Sequence, residues 1–125
     1  MRTDPAAPFD LSRLTATIRA FVREREWEQF HTPKNLAMAL TGEAAELMEL
    51  FQWLTPEQSV AVMADPKLAE DVRDELADVL FFCLRIADVL GIDPATAILA
   101  KLAKNAVKYP VELARGRATK YDQLK

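Results

Sequence analysis

The sequence predicts an all-α fold of the four-helix-bundle type, formed as one domain. Apolar residues recur every three or four positions along most of the chain, which is the period of an amphipathic helix. The 125 residues include only 3 glycines, too few for a turn-rich β fold, and no segment alternates apolar and polar residues as a strand would. Proline directly follows threonine or aspartate at each predicted helix start after the first, a combination typical of helix N-termini.

The first predicted helix begins after Asp10, a suitable N-cap, and continues to about Gln29 on its apolar periodicity. The segment before it, residues 1–9, contains two prolines and few apolar residues, so we expect a flexible N-terminal arm.

The second helix begins at Thr32, which is followed by proline, and runs to about Leu54. Thr55 and Gln58 have the spacing of a capping box, in which each side chain caps the backbone of the other. They predict a short helix that extends towards Ala64.

The third long helix begins at Asp65 and continues to Leu90, because Gly91 supplies a C-terminal stop. The fourth begins at Asp93 and ends before Tyr109, since the residue preceding a proline disfavours the helical conformation.

We therefore expect an all-α domain over residues 10–109. Residues 110–125 have weak periodicity and four basic residues, so we expect a partly ordered tail there.

Composition excludes several classes of function. The net charge of −3 argues against a nucleic-acid surface, which needs concentrated lysine and arginine. One cysteine, Cys83, cannot form an internal disulfide or a zinc site of several thiolates, and one histidine, His31, excludes a multi-histidine metal centre. No apolar run approaches the roughly 18 residues of a membrane span, and the start lacks a signal-peptide pattern, so the expected compartment is the cytoplasm.

Two predicted helices each carry a glutamate within an otherwise apolar stripe of heptad spacing. The stripes are Leu36, Leu40, Glu43, Leu47, Leu50 and Leu54 on the second helix, and Leu68, Val72, Glu75, Val79, Phe82, Ile86 and Val89 on the third long helix. A second acid follows each glutamate after three residues, namely Glu46 and Asp78, on nearly the same helix face. Antiparallel packing of the stripes would bring four carboxylates together inside a bundle.

These four carboxylates predict a cation site. Ionised carboxylates in an apolar stripe are unfavourable unless they are paired or bind metal, and neither stripe contains lysine or arginine. Ligands that offer only oxygen favour Mg²⁺, with Mn²⁺ as the second choice. The alternative is that both pairs are ordinary solvated helix faces. Glu49, Asp71 and Asp74 lie close in sequence and belong either to the outer part of the site or to the surface.

At these residues the sequence resembles the MazG-like all-α nucleoside triphosphate pyrophosphohydrolases, and most closely their dCTP pyrophosphatase branch. The resemblance covers roughly residues 10 to 124. Beyond Glu43-x-x-Glu46 and Glu75-x-x-Asp78, separated by 28 residues, the matching segments are Trp27-Glu28-Gln29-Phe30-His31, Pro33, Asn35-Leu36, Glu49-Leu50-Phe51-Gln52-Trp53, Asp74 to Leu80, Lys101, Asn105, Tyr109-Pro110 and Lys120-Tyr121. One departure is Phe82, where the branch carries a tyrosine.

The resemblance implies a MazG-type fold and hydrolysis of a nucleoside triphosphate between its α and β phosphates. It makes the four carboxylates the metal ligands and catalytic residues. It also implies that Trp27, His31 and Trp53 contact the nucleobase of the substrate. Its phosphates would be bound by Lys101, Asn105 and Tyr109. The plainer alternatives are core tryptophans, a histidine that caps a helix end, and a basic helix C-terminus. Lys34 and Arg85 are weaker phosphate candidates.

The leading functional hypothesis is therefore an Mg²⁺-dependent dNTP pyrophosphohydrolase that prefers dCTP or modified dCTP and cleanses the nucleotide pool. A house-cleaning pyrophosphatase for dUTP or other nucleotides, a phosphoribosyl-ATP pyrophosphatase and a non-catalytic metal-binding interaction module are the alternatives. The resemblance also implies a homo-oligomer, a dimer or tetramer, and we expect a homotetramer with sites at subunit interfaces.

Overall fold

A computed structural model describes residues 10–125, and every regular element in that range is a helix. The all-α prediction is thereby confirmed, while the four-helix-bundle arrangement stays a prediction. The predicted N-terminal arm, residues 1–9, lies outside the described residues. The chain divides into two compact units, one ending at Ile92 and the other comprising Asp93–Lys125, and each is described by itself.

The helices of the first unit are α1 (Leu11–Glu24), a 3₁₀ helix (Glu28–Phe30), α2 (Pro33–Glu49), α3 (Pro56–Val60), a second 3₁₀ helix (Val62–Ala64) and α4 (Pro66–Leu90). Those of the second unit are α5 (Pro94–Lys108), α6 (Val111–Ala114) and a 3₁₀ helix (Tyr121–Gln123). None of the helices within residues 10–125 combines the length and apolar character needed to cross a bilayer.

The predicted N-caps are confirmed, and they fix where the long helices begin. Asp10, Thr32, Thr55, Asp65 and Asp93 each accept a hydrogen bond from a backbone N–H in the first turn. The capping box at α3 is complete: Thr55 Oγ1 accepts from the Gln58 N–H at 3.1 Å, and Gln58 Oε1 accepts from the Thr55 N–H at 2.9 Å. Each such bond satisfies a helix-end donor that has no partner within the helix.

The first helix is shorter than predicted, ending at Glu24 and not near Gln29. Glu26 adopts a φ of 53°, and the N–H of Trp27 donates to the carbonyl of Val22 at 3.1 Å. This pattern is a Schellman-type stop, whose left-handed position is usually glycine, so a glutamate there conceals the helix end from sequence inspection.

The second helix also ends early, at Glu49 and not near Leu54. The following residues form tight turns, in which the N–H of Leu50 bonds the carbonyl of Leu47 at 3.2 Å and that of Leu54 bonds Phe51 at 2.9 Å. Leu50 and Leu54 nevertheless stay half-buried, so the apolar pattern persists beyond the helix. The stop at Gly91, with a φ of 69°, is confirmed.

The main helix pair of the first unit is α2 with α4. Arg85 near the end of α4 reaches His31 just before α2, whereas Glu43 within α2 lies beside Glu75 early in α4, so the two helices run antiparallel. Both heptad stripes are buried or half-buried along their length except Val89. The pairing of these stripes is what brings the acidic side chains of the two helices together.

Helix α1 also packs against α4. The rings of Phe21 and Phe81 meet edge to face with centroids 6.4 Å apart, and Arg19 forms an ion pair with Asp88. Val22 of α1 and Leu36 of α2 are among the most deeply buried side chains. This core fixes α4, which carries Glu75 and Asp78, two of the four carboxylates predicted to form the cation site.

The second unit contains α5 and the segment predicted to be a partly ordered tail. Tyr109, which caps α5, contacts Tyr121 edge to face at 6.1 Å between centroids, and the Lys108 ammonium lies 4.8 Å above the Tyr121 ring. The segment therefore folds back on the end of α5 through aromatic contacts.

Candidate active site

Three of the predicted carboxylates meet between α2 and α4. Glu43, Glu75 and Asp78 each offer a carboxylate oxygen, and these oxygens all lie within 4.8 Å of one another. Glu46, one turn after Glu43, is exposed but lies close enough to influence both glutamates. We refer to Glu43, Glu46, Glu75 and Asp78 as the acidic cluster.

The electrostatics of the acidic cluster are those of like charges held together. Burial raises the pKa of Glu43 from 4.5 to about 7, and Glu46 and Asp78 add to the shift. Burial also raises the pKa of Glu75, followed by the effect of Glu46. Each neighbour that raises these two values is itself an acid, and no basic residue in the range 10–125 lowers them.

Two oxygens of the cluster are buried with no hydrogen-bond partner in the part of the chain that the structure describes. Among the described residues, Oε2 of Glu43 and Oε2 of Glu75 are inaccessible and form no hydrogen bond. The hypothesis of fully solvated helix faces is therefore wrong for these two glutamates, although it suits the exposed Glu46 and Asp78. Buried polar atoms without a hydrogen bond are rare in folded proteins, and a bound ion is one of the explanations for such a pair. A donor set of carboxylate oxygens fits a hard divalent cation.

The other acids near the cluster behave as surface residues. Asp71 Oδ1 accepts from the Lys67 ammonium at 2.9 Å, an ordinary ion pair one helical turn apart. Glu49 and Asp74 are exposed. None of the three joins the group of oxygens that lie within 4.8 Å of one another.

Two of the three predicted base-binding residues lie together. The centroids of Trp27 and His31 are 6.5 Å apart, and Trp27 also contacts Phe21 edge to face at 5.8 Å. Trp53 is 87% exposed and makes no ring contact with any other residue in the range 10–125. So large an exposed apolar ring has no role in the core of this chain.

His31 belongs to a polar network that the sequence analysis missed. Arg85 Nε donates to His31 Nδ1 at 3.0 Å, and Arg85 Nη1 donates to Asp88 Oδ2 at 3.0 Å. Arg19 donates two hydrogen bonds to the same carboxylate, at 2.9 and 2.6 Å. Arg85 is only 6% exposed and engaged on both sides, which does not suit the phosphate contact suggested for it. The sequence feature that could have indicated this network is an arginine and an aspartate three residues apart on a mostly apolar helix, Arg85 and Asp88.

The predicted phosphate-binding residues lie in the second unit. Lys101 is exposed and Asn105 half-buried, one turn apart on α5, and the Tyr109 N–H donates to the Asn105 carbonyl at 2.8 Å. Lys108, on the same helix face, lies above the Tyr121 ring. Their contact with phosphate stays a prediction.

Comparison with known proteins points to one family. A sequence profile described as the MazG-like family matches residues 39–124, which include the whole acidic cluster. Two curated relatives are dCTP pyrophosphatase 1 of Bos taurus, 42% identical, and dCTP pyrophosphatase 1 of Homo sapiens, 41% identical, each over 115 residues. Each match covers 92% of this chain, and the chain spans 66% of the length of those relatives.

A solved structure agrees with that result. The crystal structure of a pyrophosphatase from Archaeoglobus fulgidus superimposes with a TM-score of 0.75 at 37% sequence identity. The match covers 86% of this chain and 99% of the other.

Proposed function

Because the chain belongs to the MazG-like family, we propose that it is a nucleoside triphosphate pyrophosphohydrolase. It cleaves a dNTP between the α and β phosphates and releases a monophosphate and pyrophosphate. The observation that carries this proposal is the acidic cluster, where oxygens of Glu43, Glu75 and Asp78 meet within 4.8 Å. The names of the curated relatives favour dCTP as the substrate.

The cofactor in this proposal is Mg²⁺, with Mn²⁺ as the alternative. Glu43, Glu46, Glu75 and Asp78 would hold it, since they offer only oxygen ligands and two of those oxygens are buried with no partner within residues 10–125. A bound divalent cation supplies positive charge for the triphosphate and for the leaving pyrophosphate.

The remaining roles belong to side chains of this protein. A carboxylate beside the α phosphate orients the attacking water and takes its proton, and the candidates are the acidic cluster and Glu49. Lys101, Asn105 and Tyr109 bind the phosphates. Trp27, His31 and Trp53 bind the base, with stacking from the two indole rings.

Product analysis with each dNTP and Mg²⁺ tests the reaction. We expect dCTP to yield dCMP and pyrophosphate faster than the other dNTPs yield theirs. Preferred hydrolysis of another dNTP would indicate a house-cleaning enzyme with a different base preference, and no turnover would indicate a non-catalytic metal-binding module. Formation of dCDP and orthophosphate would contradict the proposed reaction.

Replacement of Trp53 tests the base pocket. Trp53→Ala should raise the KM for dCTP about fivefold or more, because stacking contributes ~1–3 kcal/mol per base. The melting temperature should hardly change, since the ring is 87% exposed. Steady-state kinetics and melting curves decide this, with Val60→Ala, which shortens an 85% exposed side chain, as the control. An unchanged KM would remove Trp53 from the pocket.

The assembly state is a further part of the proposal. Large apolar side chains are exposed on α4, such as Leu76 and Leu80, and on α5, such as Leu99 and Val107. Exposed apolar surface of this kind marks sites of association. We expect a homotetramer with sites at subunit interfaces, and light scattering at micromolar concentration should give about four times the chain mass of 14.0 kDa. An active monomer would overturn this expectation.

A further inference from the structure

The single histidine of this chain is held by an unusual partner. His31 lies between the first 3₁₀ helix and α2, is half-buried, and accepts a hydrogen bond at Nδ1 from Arg85 Nε at 3.0 Å. Its other ring nitrogen, Nε2, forms no hydrogen bond with any residue in the range 10–125 and stays available to a ligand. The ring lies beside Trp27, with 6.5 Å between centroids.

The partner determines which nitrogen carries the proton. A guanidinium group only donates hydrogen bonds and stays charged, so Nδ1 of His31 must present a lone pair to Arg85. The neutral ring then carries its proton on Nε2, because the bond made by one ring nitrogen sets the state of the other. A second proton, on Nδ1, would face the N–H of Arg85 and place a positive charge beside the guanidinium, so this arrangement disfavours the protonated ring.

Arg85 is itself fixed in place. It is only 6% exposed, and its Nη1 donates to Asp88 Oδ2 at 3.0 Å. Asp88 in turn takes both hydrogen bonds of Arg19 from α1. The carboxylate therefore compensates the buried charge of Arg85 and holds its planar fork towards His31.

We propose that Arg85 is a positioning residue that holds His31 as the neutral Nε2–H form, so that His31 offers a fixed hydrogen-bond donor to N3 of a cytosine base. The inference rests on the proposed function for the identity of the ligand. Cytosine accepts a hydrogen bond at N3, whereas thymine and uracil carry a proton there. A donor fixed at Nε2 thus favours cytosine. With thymine or uracil, the Nε2–H of His31 would face the N3–H of the base, and two donors cannot form a hydrogen bond.

The charged groups around His31 agree with this geometry. Arg85 from α4 faces the ring, with Asp88 of the same helix behind it and Arg19 of α1 beyond Asp88. Burial lowers the pKa of His31, and the positive charge of Arg85 lowers it further. The ring therefore stays neutral at a pH where a free histidine is partly charged.

Nitrogen-15 NMR of the imidazole ring tests the assignment directly, since the chain has one histidine and gives one set of ring signals. In the wild type we expect a protonated Nε2, an unprotonated Nδ1 and a pKa below the ordinary value. In Arg85→Met the two neutral forms should mix and the pKa should rise. Asp88 keeps its two bonds from Arg19 in this variant, so no buried charge is left unpaired.

Arg73→Met is the matched control, because it removes an exposed guanidinium from the same helix. It should leave the ring signals of His31 unchanged. A wild-type His31 protonated on Nδ1, or one that titrates at the ordinary pKa, would overturn the inference. This wild-type measurement suffices if Arg85→Met fails to fold.

Ligand experiments test the role at the base. Added dCMP should shift the Nε2 resonance of the wild type more than dTMP does, and Arg85→Met should remove the difference. With substrates, Arg85→Met should raise the KM for dCTP about three- to tenfold, the range expected for loss of one hydrogen bond, with kcat within about twofold. The preference for dCTP over dTTP should fall by a similar factor.

The two proposals fail separately. Equal shifts with dCMP and dTMP, or an unchanged dCTP preference in Arg85→Met, would overturn the role at the base even if the enzyme hydrolyses dCTP. Absence of turnover with every dNTP would instead overturn the proposed function, while the ring signals and the dCMP titration would still decide the role of Arg85.

Discussion

Glu75→Gln should abolish Mg²⁺-dependent hydrolysis while leaving the metal-free protein at least as stable as the wild type. The change replaces the Glu75 carboxylate, one of the three whose oxygens meet within 4.8 Å in the acidic cluster, with a neutral amide of the same size. Even groups that only orient metal ligands change metal affinity or activity by about 10–100-fold when mutated. We therefore expect kcat/KM to fall by about 100-fold or more.

The stability of Glu75→Gln follows from the same electrostatics. Without metal, Glu75 is a carboxylate whose pKa is raised by burial and by Glu46, and its Oε2 has no partner among the described residues. Glutamine removes the charge and offers an amide hydrogen to the neighbouring carboxylates. A functional site built from like charges is expected to oppose stability in this way.

Melting curves with and without Mg²⁺, together with a pyrophosphate-release assay, provide the measurement. Glu70→Gln is a suitable control, because it makes the same substitution at an exposed position of α4 outside the cluster. It should leave melting temperature, Mg²⁺-dependent stabilisation and turnover near those of the wild type. Turnover near wild type in Glu75→Gln would show that Glu75 does not bind the metal.

The fold was largely predictable because its signals are local. Caps such as Thr32 and Asp65, and the stop at Gly91, act on neighbouring backbone groups and need no knowledge of tertiary structure. The end of α1 was missed because Glu26 occupies a left-handed position without being a glycine. The end of α2 was missed because the apolar period continues through Leu54 in non-helical turns.

The candidate site was predictable to the extent that it rests on helical periodicity. Spacing alone places Glu43 and Glu75 in apolar stripes, and antiparallel packing then brings them together. The hydrogen bond between His31 and Arg85 spans 54 positions in the sequence, and no periodic pattern predicts it. Side-chain networks of this kind depend on which residues of two elements face each other, and that is known only from the structure.

Stability of the metal-free protein should depend on pH through Glu43. The folded state raises the pKa of this carboxyl from 4.5 to about 7, so folding favours its protonated form. The stability that this preference provides is fully present below the unfolded pKa and is lost as pH rises through about 7. The raised pKa of Glu75 acts in the same direction. We expect this effect to lower the melting temperature, measured in EDTA, by several degrees between pH 5 and pH 8.

His31 contributes with the opposite sign, so the effect of Glu43 must be isolated. The pKa of His31 is lowered in the fold, so folding favours the neutral ring. The stability from this preference increases as pH rises towards 6.5 and is fully present above that value. Subtracting the stability of Glu43→Gln from that of the wild type at each pH removes the contribution of His31, which both proteins share. Relative to Glu43→Gln, the wild type should lose stability steadily as pH rises from 5 to 8. Parallel curves for the two proteins would contradict the raised pKa of Glu43.

Mg²⁺ should reverse this dependence on pH. Its carboxylate ligands must be deprotonated to bind it, so protons and Mg²⁺ compete for Glu43 and Glu75. The increase in melting temperature caused by saturating Mg²⁺ should therefore be small at pH 5 and largest at pH 8, where the free cluster is least stable. Thermal denaturation with a matched series of Mg²⁺ and EDTA samples measures it, and Glu43→Gln should show little Mg²⁺ stabilisation at either pH. An increase that is equal at both pH values would place Mg²⁺ elsewhere than at these two carboxylates, because only a site without titrating ligands in this range binds it independently of pH.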